Sequence, residues 1–254
     1  VWAATNSGIS IHHPMLQQFE QTFLPPVKGA GSANITIYDF YEHDGDLWIG
    51  TSAGIFKRSA GSDVFNFQPV IYKGSRLRVT RFFEDVDGSL FLGTDYSLFR
   101  CDPGTMQVSL LPNTEQDRVM NKIIESRVTS IVRDTVDGHP VLMVSPYGHF
   151  LAYYDLQEQR WISRHDTVKN VISHFKLGDN NNLIRKVYKT RDGQLWMSSV
   201  TQGLGIRPKN GEAAIRFFYN DPAVTGSISN NNVYDILEDG TGNLWVSTYA
   251  DCHY

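Results

Sequence analysis

One pattern recurs along the whole chain of 254 residues: an apolar run, a turn that contains glycine, and a second apolar run that often carries tryptophan. The pattern is clearest in DGDLWIGTSAGI, from Asp44 to Ile55. Its turn glycines lie at Gly45, Gly88, Gly138, Gly193 and Gly242. The intervals between them are 43, 50, 55 and 49 residues. Such a repeat constrains the fold strongly, because each copy must bury its apolar faces against its neighbours.

The composition of each copy predicts β-structure. The apolar segments are short, rich in β-branched and aromatic residues, and separated by turn dipeptides such as Asp-Gly, and no window keeps a helical period. A period near 45 residues matches a propeller blade of four strands. The sequence therefore predicts an all-β fold, a β-propeller of four-stranded antiparallel blades.

The four strands of a copy can be assigned, and we call them A to D. Strand A is the apolar run before the glycine turn, and strand B is the run after it, as in LWIGT. The inward positions of strand A are Val79 and Phe82, Val128 and Ile131, Ile184 and Val187, and Val233 and Ile236.

Blade boundaries follow from the copies. The prediction is a partial blade at 1–33, full blades at 34–77, 78–126, 127–181 and 182–231, and a partial blade at 232–254. Strand B occurs near both ends, at Trp2 and Trp245. Because these ends duplicate one another, we expect an incomplete ring and a fragment of a longer protein.

The position of Trp48 has a counterpart in every copy, and its ring could either stack on a ligand or pack in the core. Its counterparts are Trp2, Phe91, Leu142 or Val141, Trp196 and Trp245. A large apolar residue at one fixed point of each blade is what packing between blades requires. The repetition favours a core role for Trp48.

Charge and motifs exclude several classes of function. The net charge of −4, the pI near 6.1 and the scattered Lys and Arg residues argue against nucleic acid as a partner. Cys101 and Cys252 match no metal spacing, and the acidic turn at 85–88 lacks the further ligands of a calcium loop. No phosphate-binding loop, nucleophile elbow or zinc motif is present, so no metal or cofactor is expected.

Polar and aromatic residues flank the strands where the D-to-A and B-to-C loops of a propeller converge. Asn34, Asn182 and Asn232 are among the residues before strand A, with two arginines. The candidate ligand-binding residues are Arg78, Tyr96, Arg127, Tyr147, His149, Gln202 and Tyr249. Planar donors and aromatic faces suit a neutral or acidic oligosaccharide, and the alternative is an ordinary solvated rim.

The repeat resembles the two-component regulator propeller repeat, whose signature is an apolar strand, an Asp-x-x-Gly turn, Leu-Trp-Ile-Gly-Thr, a small turn and Gly-Leu. DGDLWIGTSAGI matches nearly every position, and the stretch from Phe217 to Thr248 is closer still. The third copy, DGHPVLMVSPYGHF, lacks the tryptophan, and the final STYADCHY lacks Gly-Leu.

The resemblance implies a function. It points to the periplasmic, ligand-sensing region of a hybrid two-component histidine kinase in polysaccharide-degrading bacteria. The parent would carry seven-bladed propellers, a β-sandwich, a membrane helix, a kinase domain and a DNA-binding output, and would form a homodimer. This chain would bind an oligosaccharide and catalyse nothing. The alternatives are a polysaccharide lyase, for which His149 and Arg127 are the candidates, and a protein-interaction scaffold.

Overall fold

The structure is a computed structural model, and it describes residues 2–5, 8–13, 18–27, 35–113, 118–136, 138–149, 151–162, 183–207 and 215–249. The chain divides into two compact units, Val1–Leu110 and Leu111–Tyr254. Cys252 and the predicted rim residues Asn34 and Asn182 lie outside the described residues.

The first unit is built from short strands. Its described strands are β1 (Trp2–Thr5), β2 (Gly8–His13), β3 (Gln18–Thr22), β4 (Ile37–His43), β5 (Asp46–Thr51), β6 (Gly54–Arg58), β7 (Asn66–Gln68), β8 (Ile71–Tyr72), β9 (Ser75–Arg76), β10 (Val79–Glu84), β11 (Leu90–Thr94), β12 (Leu98–Cys101) and β13 (Val108–Leu110).

The second unit adds one short helix to the same kind of strand. Its described elements are α1 (Arg118–Ile124), β14 (Val128–Val136), β15 (His139–Pro146), β16 (Ala152–Asp155), β17 (Arg160–Trp161), β18 (Ile184–Lys189), β19 (Leu195–Ser199), β20 (Leu204–Arg207), β21 (Arg216–Phe218), β22 (Val233–Glu238) and β23 (Leu244–Thr248).

Within each sheet, strands that follow one another in sequence pair antiparallel, so every sheet keeps the chain order. Four sheets have four strands: β4 to β7, β10 to β13, β14 to β17, and β18 to β21. The strands β1 to β3 form a three-stranded sheet, and β22 and β23 form a pair. The predicted all-β fold of four-stranded antiparallel sheets is confirmed.

The glycine turns join the first two strands of these sheets. Between β4 and β5, Asp44 has φ +51° and Gly45 has φ +80°, and His43 pairs directly with Asp46. Two central residues with positive φ define the type I′ hairpin, whose twist matches that of the paired strands. Glycine is favoured there because it has no Cβ to clash.

A β-bulge occurs at the second residue of the first strand in all five described pairs of this kind. The bulged residues are Tyr38, Thr80, Thr129, Arg185 and Tyr234. The extra residue shifts the alternation of faces by one. Buried positions therefore lie three residues apart, as in Val233 and Ile236, which are both fully buried.

Trp48 packs against the neighbouring sheet. Its side chain is 0% exposed and belongs to one apolar cluster with Val79, Leu90 and Leu92 of β10 and β11. The rings of Trp48 and Phe82 meet edge to face, with centroids 6.3 Å apart. The predicted core role of Trp48 is confirmed.

The counterpart of Trp48 in the third copy is Met143, so the assignment to Leu142 or Val141 was wrong. Met143 pairs with Val132 at the point where Trp48 pairs with Tyr41. It is fully buried in a cluster with Ile184. The β14–β15 hairpin is longer than the others, which displaced the sequence alignment.

Trp245 behaves differently from Trp48. Its side chain is 64% exposed, and its indole N–H donates to the carboxylate of Asp239 at 2.8 Å. Within the described residues, no further sheet covers it as β10 and β11 cover Trp48.

Helix α1 was not predicted. Met120 and Ile124 lie four residues apart and are buried, so one face of the helix packs on the unit. Seven residues are too few to show a helical period in sequence. No helix in the described part of the chain is long or apolar enough to cross a lipid bilayer.

Candidate functional site

One backbone hydrogen bond recurs at the same edge of five sheets. The residue after the second strand donates its N–H to the carbonyl of the residue before the first strand. The pairs are Ser52 to Thr36, Asp95 to Arg78, Tyr147 to Arg127, Val200 to Leu183, and Tyr249 to Asn232, at 2.7–3.2 Å. These bonds define which loop residues meet.

The bonds bring some of the predicted residues into direct contact. Other predicted residues lie one or two positions further along the chain than the bonded residue. Tyr147 meets Arg127 directly, as Tyr249 meets Asn232. The partner of Arg78 is Asp95, so Tyr96 lies one residue further along. Gln202 lies two residues beyond Val200, and its backbone N–H closes the turn onto the hydroxyl of Ser199 at 2.6 Å.

In the first unit, Arg78 and Tyr96 are both engaged by neighbours. The backbone N–H of Arg78 donates to Asp95 at 3.0 Å, and its guanidinium Nε lies 3.6 Å from the same carboxylate. Tyr96 packs on the apolar cluster of this unit and stacks on Tyr72, with ring centroids 5.8 Å apart. These contacts stabilise the unit and bury much of Tyr96, whereas the side chain of Arg78 stays 56% exposed.

In the second unit, the half-buried Arg127 lies against the exposed Tyr147. The guanidinium carbon of Arg127 lies 4.5 Å from the ring centroid of Tyr147, and Tyr147 is 57% exposed. This distance is that of a cation–π contact. The pair presents a positive charge and an aromatic ring at the end of β15.

His149 lies close to this pair in sequence and beside helix α1. Burial lowers the pKa of its imidazole, and the positive charge of Lys122 on α1 lowers it further. His149 is therefore held in the neutral form near neutral pH, in which it can donate one hydrogen bond and accept another.

A second group of polar and aromatic side chains surrounds Arg185. Its members Asn232 and Tyr249 were predicted from the sequence as rim residues, and Arg185 and Tyr234 were not. The guanidinium carbon of Arg185 lies 4.1 Å from the ring centroid of Tyr234, and its Nη2 donates to the amide oxygen of Asn232 at 3.2 Å. The Tyr234 ring stacks on Tyr249, with centroids 5.9 Å apart and planes at 22°. Tyr234 is 44% exposed and Tyr249 57%.

These groups share one edge of the second unit. The N–H of Val187 donates to the hydroxyl of Ser130, which joins the start of β18 to the start of β14. Arg185 joins the start of β18 to that of β22. We call this surface the Arg–Tyr edge, and its residues are Arg127, Tyr147, Arg185, Asn232, Tyr234 and Tyr249.

The groups that this edge presents are planar cations and aromatic rings. No cluster of three or more His, Cys, Asp or Glu side chains that could hold a metal ion occurs in the described ranges. Cys101 is buried, and burial raises the pKa of its thiol to about 12. That thiol is therefore not a nucleophile at neutral pH.

Comparison with protein families identifies the repeat. Residues 31–53 and 227–250 match the two component regulator propeller model. Two segments of the chain therefore match this repeat. These segments contain the strand pairs β4–β5 and β22–β23, so the second match includes Tyr234 and Tyr249. No curated protein sequence matches the chain.

Solved structures of low sequence identity share the fold of this chain. One is the extracellular domain of BT4673 from B. thetaiotaomicron, described as a one component system, with 16% identity and a TM-score of 0.69. Another is the extracellular domain of BT3049 from B. thetaiotaomicron, described as a hybrid two component system, with 20% identity and a TM-score of 0.69. In both cases 97% of this chain is covered, and it spans 30% of the other chain.

A third similar structure is that of YCF48 bound to D1 peptide. It shares 12% identity with a TM-score of 0.63, and the match covers 98% of this chain and 71% of that one. Identities this low show that the folds are alike. They do not assign the ligand of one protein to another.

Proposed function

We propose that this chain is part of the extracytoplasmic sensor region of a hybrid two-component system and binds an oligosaccharide at the Arg–Tyr edge. The regulator propeller repeats and the fold shared with extracellular domains of B. thetaiotaomicron systems support the sensor role. The parent protein is proposed to supply the second propeller, the β-sandwich, the membrane anchor and the kinase, and to act as a homodimer.

The observation that carries the ligand proposal is the exposure of paired Arg and Tyr side chains at one edge. Tyr147 and Tyr249 are each 57% exposed, whereas Tyr153 and Tyr154 are buried. Aromatic rings beside planar donors are typical of sites that bind small polar ligands with an apolar face. Their positions at strand ends hold them on a rigid scaffold.

Ligand binding transmits a signal only if the ligand prefers one of two arrangements of the receptor. The edge consists of side chains from three successive sheets. A ligand that contacts Arg127 on one sheet and Tyr249 on another would favour the arrangement in which both are in reach.

The test is calorimetric titration of the chain with a panel of neutral and acidic oligosaccharides, with chromatography of the same mixtures. We expect binding without new products. The variants Tyr147→Ala and Tyr249→Ala should weaken binding at least about fivefold, since each removes an exposed stacking surface worth about 1 kcal/mol. The matched control is Tyr219→Ala, which removes a 51% exposed tyrosine after β21.

The titration also separates this proposal from the lyase alternative. A lyase would release unsaturated products, and a His149→Ala variant would abolish that release while leaving the fold intact. Binding that Tyr219→Ala weakens as much as Tyr249→Ala would contradict the placement at the Arg–Tyr edge.

A protein or peptide partner is the second candidate function. The fold shared with YCF48, whose structure holds the D1 peptide, supports it, as do the exposed side chains of Leu237 and Trp245. In signalling assays of the full-length parent, this alternative predicts that Leu237→Ala and Trp245→Ala abolish the response. The oligosaccharide proposal predicts that they leave it unchanged.

A further inference from the structure

Arg185 is aimed out of its strand by a β-bulge. The register of β18 against β19 shifts between Ile184 and Lys186, which leaves Arg185 as the extra residue. A bulge re-aims a side chain that would otherwise follow the alternation of the strand. In consequence the guanidinium reaches across to Asn232 and Tyr234 of the next sheet.

The charge of Arg185 has no carboxylate partner among the described residues. Asp235 on the neighbouring strand pairs with the ammonium of Lys186. The Nε atom of Arg185 is buried and has no hydrogen-bond partner within the described ranges. Leaving a buried hydrogen-bond donor without an acceptor costs free energy. One side of an arginine guanidinium fits a planar carboxylate through two parallel hydrogen bonds.

An aromatic platform lies beside this cation. Tyr234 contacts both the guanidinium of Arg185 and the ring of Tyr249, at 4.1 and 5.9 Å. The guanidinium and the exposed face of Tyr249 are therefore close enough to contact one short oligosaccharide. Tyrosine rings offer a large amphipathic surface at low cost in conformational entropy.

We propose that Arg185, Tyr234 and Tyr249 form a subsite for a carboxylate-bearing sugar, with Arg185 binding the carboxylate and the tyrosines supporting the ring. This deepens the proposed function and rests on it. A planar carboxylate is favoured over a neutral hydroxyl because only the carboxylate supplies both the charge and two acceptors in one plane.

The experiment compares ligands that differ only in charge. The probes are trimers of galacturonate and glucuronate, their methyl esters, and the neutral galactose and glucose trimers, titrated by calorimetry. The variants are Arg185→Gln, which removes the charge, and Tyr249→Ala, which truncates an exposed side chain that the core does not need. The matched control is Arg191→Gln, which removes an exposed arginine at the opposite end of β18.

The expected result is that an acid trimer binds at least about tenfold tighter than its methyl ester. Arg185→Gln should reduce the affinity for the acid to that of the ester, Tyr249→Ala should weaken both, and Arg191→Gln should stay within twofold of the parent chain.

Two results would overturn the subsite, and they differ in what they imply for the sensor. If neutral trimers or esters bind as tightly as the acids, or if Arg185→Gln behaves as Arg191→Gln does, the carboxylate subsite is wrong and oligosaccharide binding stands. If no trimer binds, the subsite and the proposed oligosaccharide function both fall.

Discussion

The backbone N–H of Phe82 donates a hydrogen bond to the carboxylate of Asp39 on the preceding sheet, at 2.8 Å. The N–H of Val187 donates to the hydroxyl of Ser130 in the same way, at 2.9 Å. In both cases the acceptor is the third residue of a first strand, directly after the bulge. The donor is the fourth residue of the next first strand. The bulge is thus coupled to the contact between neighbouring sheets.

Removing the hydroxyl of Ser130, which accepts the hydrogen bond from Val187, should destabilise the second unit. Ser130 is buried and also bonds to the hydroxyl of Ser145 at 2.9 Å. We expect Ser130→Ala to lower the free energy of unfolding by about 1–3 kcal/mol, because it leaves the N–H of Val187 without its acceptor. Urea unfolding followed by circular dichroism measures this change. The exposed Ser247→Ala is the control, and an equal shift in both variants would contradict the prediction.

The two tryptophans at equivalent positions should respond differently to truncation. Trp48→Ala should lower the free energy of unfolding by about 3–5 kcal/mol, because it opens a cavity between two sheets. Trp245→Ala should cost about 1 kcal/mol, mainly through the lost hydrogen bond to Asp239. Thermal or urea unfolding of the two variants distinguishes them. Equal losses would show that the exposure of Trp245 does not reflect its packing in solution.

Asp155 makes stability depend on pH in the acid range. Burial raises the pKa of its carboxyl, but hydrogen bonds from the N–H groups of Glu158 and Gln157 and from His139 outweigh burial, and the net pKa is lowered. A carboxyl whose pKa is lower in the folded state stabilises the fold above its unfolded pKa of about 3.9. That contribution is lost as the pH falls through the folded-state pKa.

The measurement is the urea midpoint between pH 7 and pH 2 for the parent chain and for Asp155→Asn. The parent should lose more stability than the variant over the acid part of this range. Other carboxyls with lowered pKa values, such as Asp87 and Asp102, contribute equally to both proteins. Parallel profiles would therefore contradict the role given to Asp155.

Cys101 should resist thiol reagents while the chain is folded. Its thiol is buried, and burial and the charge of Asp102 raise its pKa to about 12. Since the thiolate is the reactive form, a Cys252→Ser variant should react with a chromogenic disulfide at pH 8 only after urea is added. Stoichiometric reaction at the same rate without urea would show that the first unit opens readily around β12.

The repeat in the sequence was sufficient to predict strands, turns and the packing role of Trp48, because hairpin glycines and apolar runs are local signals. The apolar positions of strand A, such as Ile184 and Val187, were three residues apart, which regular alternation does not allow. The bulge explains this spacing. Its register depends on pairing with the second strand. The direction in which the side chains of Arg185 and Tyr234 point could therefore not be predicted from the sequence.

Tertiary contacts explain the remaining differences between the predictions from sequence and the structure. The sequence placed Tyr96 at the rim, yet its ring packs on Phe99 and Tyr72. Met143 was missed because a longer hairpin shifted the alignment by one residue. Tyr147 was identified because it directly follows a strand that could be recognised in sequence, and its contact with Arg127 depends only on the closing hydrogen bond of that sheet.

The bulge gives two adjacent residues of each first strand different places in the strand ladder. The residue before it is always Ile or Val, and it is always buried. The bulged residue is Tyr, Thr or Arg, and it leaves the ladder without disturbing its neighbour. Where the bulged side chain is exposed, as at Tyr234, it can be substituted at little cost to stability. The bulges at Arg185 and Tyr234 therefore mark where directed evolution would begin if the proposed ligand site is to change its preference.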